Sequence, residues 1–208
     1  MSRLLYIEAS PRKERSASII VAKKFLDSFK AAHPNDEIVK IDLWKKELPS
    51  FDGETIDAKY AIMSGKEHTE SQKKAWEPVV RLIDEFKQAD YYLFSLPMWN
   101  FSIPYRLKHY IDLLVQPGYA FTFSSQEGYK GLVTGKKVVL VYARGGAYGS
   151  GTGAEAFDLQ VTYMETILKF IGFTDITHIL VEPTIGPGAK EQAIDKASLI
   201  AIKLGASL

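Results

Sequence analysis

The chain contains no cysteine, which excludes disulfides, thiolate nucleophiles and cysteine-ligated zinc or iron–sulfur sites together. No apolar run approaches the roughly 20 residues that a bilayer-spanning helix requires. The opening stretch, MSRLLYIEASPRKERS, has too short an apolar core for a secretory signal, so the expected compartment is the cytoplasm. A surplus of one charge is also missing: 26 Lys and Arg face 25 Asp and Glu. That balance leaves no global field to hold nucleic acid or an anionic membrane. His33, His68, His109 and His178 are scattered without metal-ligand spacing, so no metal site is expected. The segment GLVTGKK (131 to 137) is one residue short of a phosphate-binding Walker loop and lacks its terminal Ser or Thr, and there is no G-x-S-x-G elbow for a nucleophilic serine.

What is present is an alternation. Four apolar runs, RLLYIEAS, DYYLFSL, KKVVLVYA and THILVE, read as buried parallel strands, each followed by polar or glycine-containing turns. EIVKIDL alternates more, as an edge strand does. Helical periodicity covers Ser18 to Ala32, Ser71 to Gln88, Pro104 to Val115, Glu155 to Ile171 and Ala189 to Ala206. Strand and helix in turn, over 208 residues, predict one α/β domain spanning residues 1–208. Its expected form is a doubly wound, five-stranded parallel sheet of flavodoxin-like order 2-1-3-4-5 with helices on both faces. Two longer connections, residues 44 to 70 and 116 to 136, exceed the minimal pattern and suggest a site or an interface.

In an open sheet of this order the ligand crevice lies beyond the carboxyl ends of the first and third strands. Three loops are expected to meet there. The first, SPRKERSAS, offers Ser10, Ser16, Ala17 and Ser18 at a helix start; unpaired backbone N–H groups and partial positive charge suit a phosphate monoester. An ordinary N-cap serine is the competing reading. Without the glycines of G-x-G-x-x-G, one terminal phosphate fits this loop better than a pyrophosphate.

The second loop, PMWNFSIP, carries Pro97, Met98, Trp99, Asn100 and Phe101. A thioether and two aromatic rings suit a flat conjugated ligand, and Asn100 can satisfy its polar edge; an apolar plug under a helix is the alternative. The third loop, ARGGAYGSGTG, brings Ala143, Arg144, Gly145, Gly146 and Tyr148. Its glycines permit close backbone approach to a ring edge, although a plain glycine turn reads the same way. Tyr119, Phe121 and Phe123 are read as a cap on the substrate pocket, within one chain or across a dimer, against the alternative that they pack in a loop core. A phosphate socket joined to a flat slot with polar edges describes flavin mononucleotide.

With these motifs in hand, the chain resembles the FMN-dependent NADH azoreductases, flavodoxin-like reductases of quinones and azo compounds. The matching pieces are Ser10 with Ser16-Ala17-Ser18, Pro97-Met98-Trp99-Asn100-Phe101, Arg144-Gly145-Gly146, GLVTGKK and FIGF (170 to 173). The resemblance implies that Ser10 and residues 16 to 18 hold the FMN phosphate, that residues 98 to 101 line the isoalloxazine and that residues 143 to 146 meet its pyrimidine edge. It also implies a homodimer with active sites at the subunit interface, and a two-step exchange in which NADH or NADPH reduces the flavin and a quinone or azo acceptor reoxidises it. No catalytic side chain is then required, and Tyr148 is at most a proton or hydrogen-bond donor. Trp99 stands where many members have Tyr and Tyr148 where many have His, which bears on substrate preference. A flavodoxin-like electron carrier without its own substrate pocket is the alternative; it would need a charged docking face, which the balanced charge disfavours.

Overall fold

A computed structural model describes all residues, 1–208. Five strands form one parallel sheet: β1 (Arg3–Glu8), β2 (Glu37–Asp42), β3 (Tyr91–Pro97), β6 (Lys137–Ala143) and β7 (Asp175–Val181), in the order β2-β1-β3-β6-β7. Taken in chain order within this sheet, that is the expected 2-1-3-4-5. The side-chain period of two sends Leu4 and Tyr6 to one face and Leu5 and Ile7 to the other. Both faces are apolar because both are covered, as parallel sheets require. Helices α1 (Ala17–Ala32) and α6 (Ala189–Ser207) cover the first face, while α3 (Glu70–Lys87), α4 (Tyr105–Leu114) and α5 (Leu159–Ile171) cover the second. No helix is long and apolar enough to cross a membrane.

Both long connections contain structure that periodicity did not reveal. Residues 44 to 70 hold α2 (Gly53–Met63), started by Asp52, whose carboxylate accepts from the Thr55 N–H at 3.3 Å. Only Thr55 and Ala58 of this helix are buried, so it shows no apolar stripe to read. Residues 116 to 136 hold an antiparallel hairpin, β4 (Phe121–Ser124) paired with β5 (Gly128–Gly131). The fourth predicted helix begins later than Glu155: a 3-10 turn occupies Glu155–Phe157, and the Asp158 carboxylate caps α5 by accepting from the Val161 N–H at 3.0 Å.

Candidate functional site

The carboxyl ends of the strands are laced together by backbone hydrogen bonds. The Ala9 N–H donates to the Ser95 carbonyl (2.9 Å), Met98 to Ala143 (2.9 Å) and Arg144 to Val181 (3.1 Å). This brings all three predicted loops to one place and adds a fourth, the loop after β7. Between them lies an open cleft of about 310 Å³, within the usual range for small-molecule sites. Ser10, Arg12, Ser16 and Ala17 line one end, where Lys190 donates to the Arg15 carbonyl at 3.3 Å, Pro97, Met98 and Trp99 form one wall, and Ala143 and Gly145 the side nearest Thr184 and Ile185.

The start of α1 decides between a cap and an anion socket. Ser16 is the N-cap residue, yet its side chain accepts from none of the first-turn amides; its Oγ lies 3.2 Å from that of Ser18. Ala17, Ser18 and Ile19, which carry those amides, are all buried. A buried helix start without a capping side chain is the arrangement that receives an anion, and Arg12 and Lys190 add positive charge at the same end of the cleft. Ser18 itself is fully buried behind Ser16 and does not line the cleft.

Beneath this loop sits a compact charge network. Glu8, 1% exposed at the end of β1, receives Lys13 Nζ at 2.9 Å and Lys40 Nζ at 2.5 Å, and Lys13 also donates to Asp42. Burial disfavours the charge on Lys13, but its hydrogen bonds to Asp42 and Glu8 outweigh that and raise its pKa. Burial likewise opposes ionisation of Asp42, yet the bonds from Lys13 and the Trp44 amide hold its pKa below the usual carboxylate value.

The PMWNFSIP loop is a tight reversal. Trp99 and Ser102 exchange both backbone hydrogen bonds at 2.9 Å, and the two residues between them, Asn100 and Phe101, have φ of 47° and 67°. Asn tolerates this left-handed region, whereas Phe adopts it at a cost. Trp99 is held at its back by Trp44 and Tyr105, with ring centroids 5.8 and 6.3 Å away. Trp44 in turn donates its indole N–H to the Ala9 carbonyl at 3.0 Å. Trp99 also borders a second, larger cleft of about 650 Å³ toward α4 and Tyr163, and Asn100, which does not line the first cleft, lines this one. The Asn100 side chain makes no hydrogen bond within the chain. Phe101 lies 5.0 Å from Phe157 and 6.4 Å from Tyr148 between ring centroids, an aromatic group over the third loop.

In that third loop the amides of Gly145 and Gly146 donate to nothing within the chain, leaving them available to a ligand edge. Arg144 was expected with residues 143 to 146 at the ring's edge, but its side chain takes no part there: it is 1% exposed and directed into the protein, bonded to Asp158 and paired with Glu182, whose Oε2 is 2.7 Å from Nε though not aligned as a hydrogen bond. Two carboxylates on neighbouring elements bind it more strongly than a solvent-facing site would. The expected substrate-pocket residues also lie elsewhere within one chain. Tyr119, just before the hairpin, packs toward Trp76 (6.5 Å), and on the hairpin Phe121 packs against Phe170 (4.8 Å) and Phe123 against Tyr129 (4.9 Å); none of the three lines either cleft.

Sequence reasoning missed Thr184, Ile185, Lys190 and Trp44. Nothing local marks the first three; they join the site because β7 lies beside β6. A tryptophan immediately after a predicted strand was the one available signal for the fourth. Asn100→Gly separates side chain from backbone here: glycine keeps the left-handed turn. We expect Asn100→Ala and Asn100→Gly to weaken ligand retention alike, by about 1–3 kcal/mol if a buried polar atom loses its partner. Full affinity in the glycine variant, measured by titration, would assign the role of Asn100 to the turn alone.

The geometry is that of a flavodoxin-like open sheet with a cleft at its switch point. A family model described as flavodoxin-like fold matches residues 2–203, and the chain belongs to that family. It is 50% identical over 209 residues to the FMN-dependent NADH:quinone oxidoreductase of Desulfotalea psychrophila, covering 100% of this chain and 98% of the relative. It is 49% identical to FMN-dependent NADH:quinone oxidoreductase 9 of Burkholderia lata, covering 97% and 99%. Among solved structures, an azoreductase from Bacillus anthracis superposes with a TM-score of 0.91 at 32% identity over all of both chains. An FMN-dependent NADH-azoreductase from the same species, in complex with FMN, gives 0.86 at 27% identity over 99% and 100%.

Proposed function

We propose that this protein is an FMN-dependent NADH:quinone oxidoreductase that also reduces azo compounds. The observation that carries the reading is the buried, uncapped start of α1 at one end of a cleft whose far wall is Met98 and Trp99. A single terminal phosphate fits the first feature and a flat ring the second. FMN, when bound, supplies the chemistry, taking up hydride from a reduced nicotinamide and delivering it to the acceptor.

The chain's own residues bind and orient. Ser10, Ser16 and the first-turn amides hold the phosphate, with Arg12 and Lys190 balancing its charge. Pro97, Met98 and Trp99 present the ring face, and the free amides of Gly145 and Gly146 stabilise negative charge gathering on the ring's edge. Tyr148, packed against Phe101, borders that edge as a hydrogen-bond donor. Donor and acceptor occupy one slot in turn, so neither needs a catalytic side chain.

The functional unit is a homodimer. Trp99, Tyr105, Phe123 and Tyr129 are exposed by 36% to 66%, and such aromatic surface is characteristic of an interface. A second copy is the means by which Phe123 and its hairpin reach an acceptor site they do not touch within one chain. The expected compartment is the cytoplasm, where a nicotinamide reductant is supplied. Purified protein is expected to be yellow, to release FMN on acid treatment, to sediment as a dimer and to oxidise NADH with a soluble quinone. Failure of the flavin-loaded protein to turn over would leave an electron-carrier role instead.

A further inference from the structure

We infer that Lys13 is a positioning residue that sets the phosphate loop from beneath, through Glu8 and Asp42, without touching the ligand. The inference rests on the FMN reading above and deepens it.

Lys13 has a φ of 48°, in the left-handed region that a residue with a side chain adopts only when its surroundings impose it. Its backbone carbonyl accepts from the Ser16 N–H at 2.8 Å, so the conformation of Lys13 fixes where Ser16 and the start of α1 stand. The side chain is the surrounding that imposes it. Of the cations in SPRKERSAS, Arg12 lines the cleft, whereas Lys13 does not and reaches the other way, to Glu8 Oε1 at 2.9 Å and to Asp42. Asp42 also accepts from the Trp44 amide at 3.1 Å, and Trp44 donates to Ala9, the residue just before Ser10. The loop is thus tied at Ala9 and at Lys13 to the same carboxylate at the end of β2.

Charge gives the tie its second function. Glu8 is two residues before Ser10 and almost wholly buried, and with Asp42 it places two negative charges under a site meant for an anion. Lys13 and Lys40 balance both. An exposed ion pair would contribute little, but removing one partner of a buried carboxylate leaves an uncompensated charge, here one that repels the phosphate. Affinity for the phosphorylated flavin should therefore depend on Lys13, while affinity for the bare ring should not.

The test is titration of FMN and of riboflavin, followed by flavin fluorescence, into wild type, Lys13→Met, Asp42→Asn and the double variant Glu8→Gln/Lys13→Met. We expect Lys13→Met to lose about tenfold or more in FMN affinity, roughly 1.4 kcal/mol, with riboflavin affinity changed less than about twofold. The double variant should recover part of the loss, because the repelling charge has gone. Asp42→Asn loosens the tie but also removes a negative charge and leaves Lys13 on Glu8, so the two effects oppose and its FMN affinity should change less than that of Lys13→Met. Should Lys13→Met not fold, Lys13→Gln is titrated in its place, with the same FMN-specific loss expected. FMN affinity unchanged in Lys13→Met, or equal losses for FMN and riboflavin, would overturn the inference. A wild type with no preference for FMN over riboflavin would instead sink the phosphate assignment on which it rests.

Discussion

Arg144→Met is expected to lower the unfolding free energy by about 3–5 kcal/mol, the range found when one partner of a buried ion pair is removed. The guanidinium, 1% exposed, is the only cation between Asp158 and Glu182, and both carboxylates are themselves largely buried. Asp158 is also the N-cap of α5, and the Arg144 carbonyl accepts from the Thr184 N–H (3.0 Å) and hydroxyl (2.9 Å). One residue therefore joins the third site loop, the start of α5 and the segment after β7. Arg144→Lys keeps a charge but not the planar fork that reaches both carboxylates, so its loss should be intermediate. Urea unfolding followed by circular dichroism checks this. A methionine variant with an unchanged midpoint would show that the two carboxylates find other partners.

The second large effect is expected at the hairpin. A methyl group added at Gly131 would lie 2.3 Å from the backbone nitrogen of Gly172 and 2.3 Å from the carbonyl carbon of Ile171. Both are main-chain atoms and cannot rotate away. Gly172 caps α5 with a φ of 118°, and the Val133 N–H donates to the Ile171 carbonyl at 2.8 Å, so hairpin and helix end are pinned together at this crossing. Gly131→Ala must part them, at a cost of about 3 kcal/mol, the upper end for overpacked sites. It should also free the aromatic group of Phe121, Tyr129 and Phe170, seen as faster hydrogen exchange across residues 121–131. Gly53→Ala is the control: nothing stands within 4 Å of its added carbon, and alanine is the better helix former. Equal stability of Gly131→Ala and Gly53→Ala would refute the close crossing.

The paired motifs GLVTGKK and FIGF acquire a physical meaning from this contact, since Gly131 and Gly172 are the residues at which two backbones touch. Neither motif reads as a contact in one dimension. The same holds for RGG: its arginine looks like a ligand-facing charge until Asp158 and Glu182 are placed on either side. The serine loop was ambiguous for a different reason. N-cap and anion socket use the same residues, and only the direction of the Ser16 hydroxyl separates them.

The amino-acid sequence alone determined which apolar runs bury, and hence the strands, most helices, the sheet order and the three loops that meet at the switch point. Those follow from local periodicity and turn chemistry, which a few neighbouring residues express. Tertiary structure alone decided which polar groups are engaged and which are free: Arg144 locked inward, Lys13 turned beneath the loop, the amides of Ala17, Gly145 and Gly146 open to a ligand, and Lys190 brought in from the last helix. A charged or polar side chain takes whatever partner the crossovers and register place opposite it, and that partner stands far away in the chain.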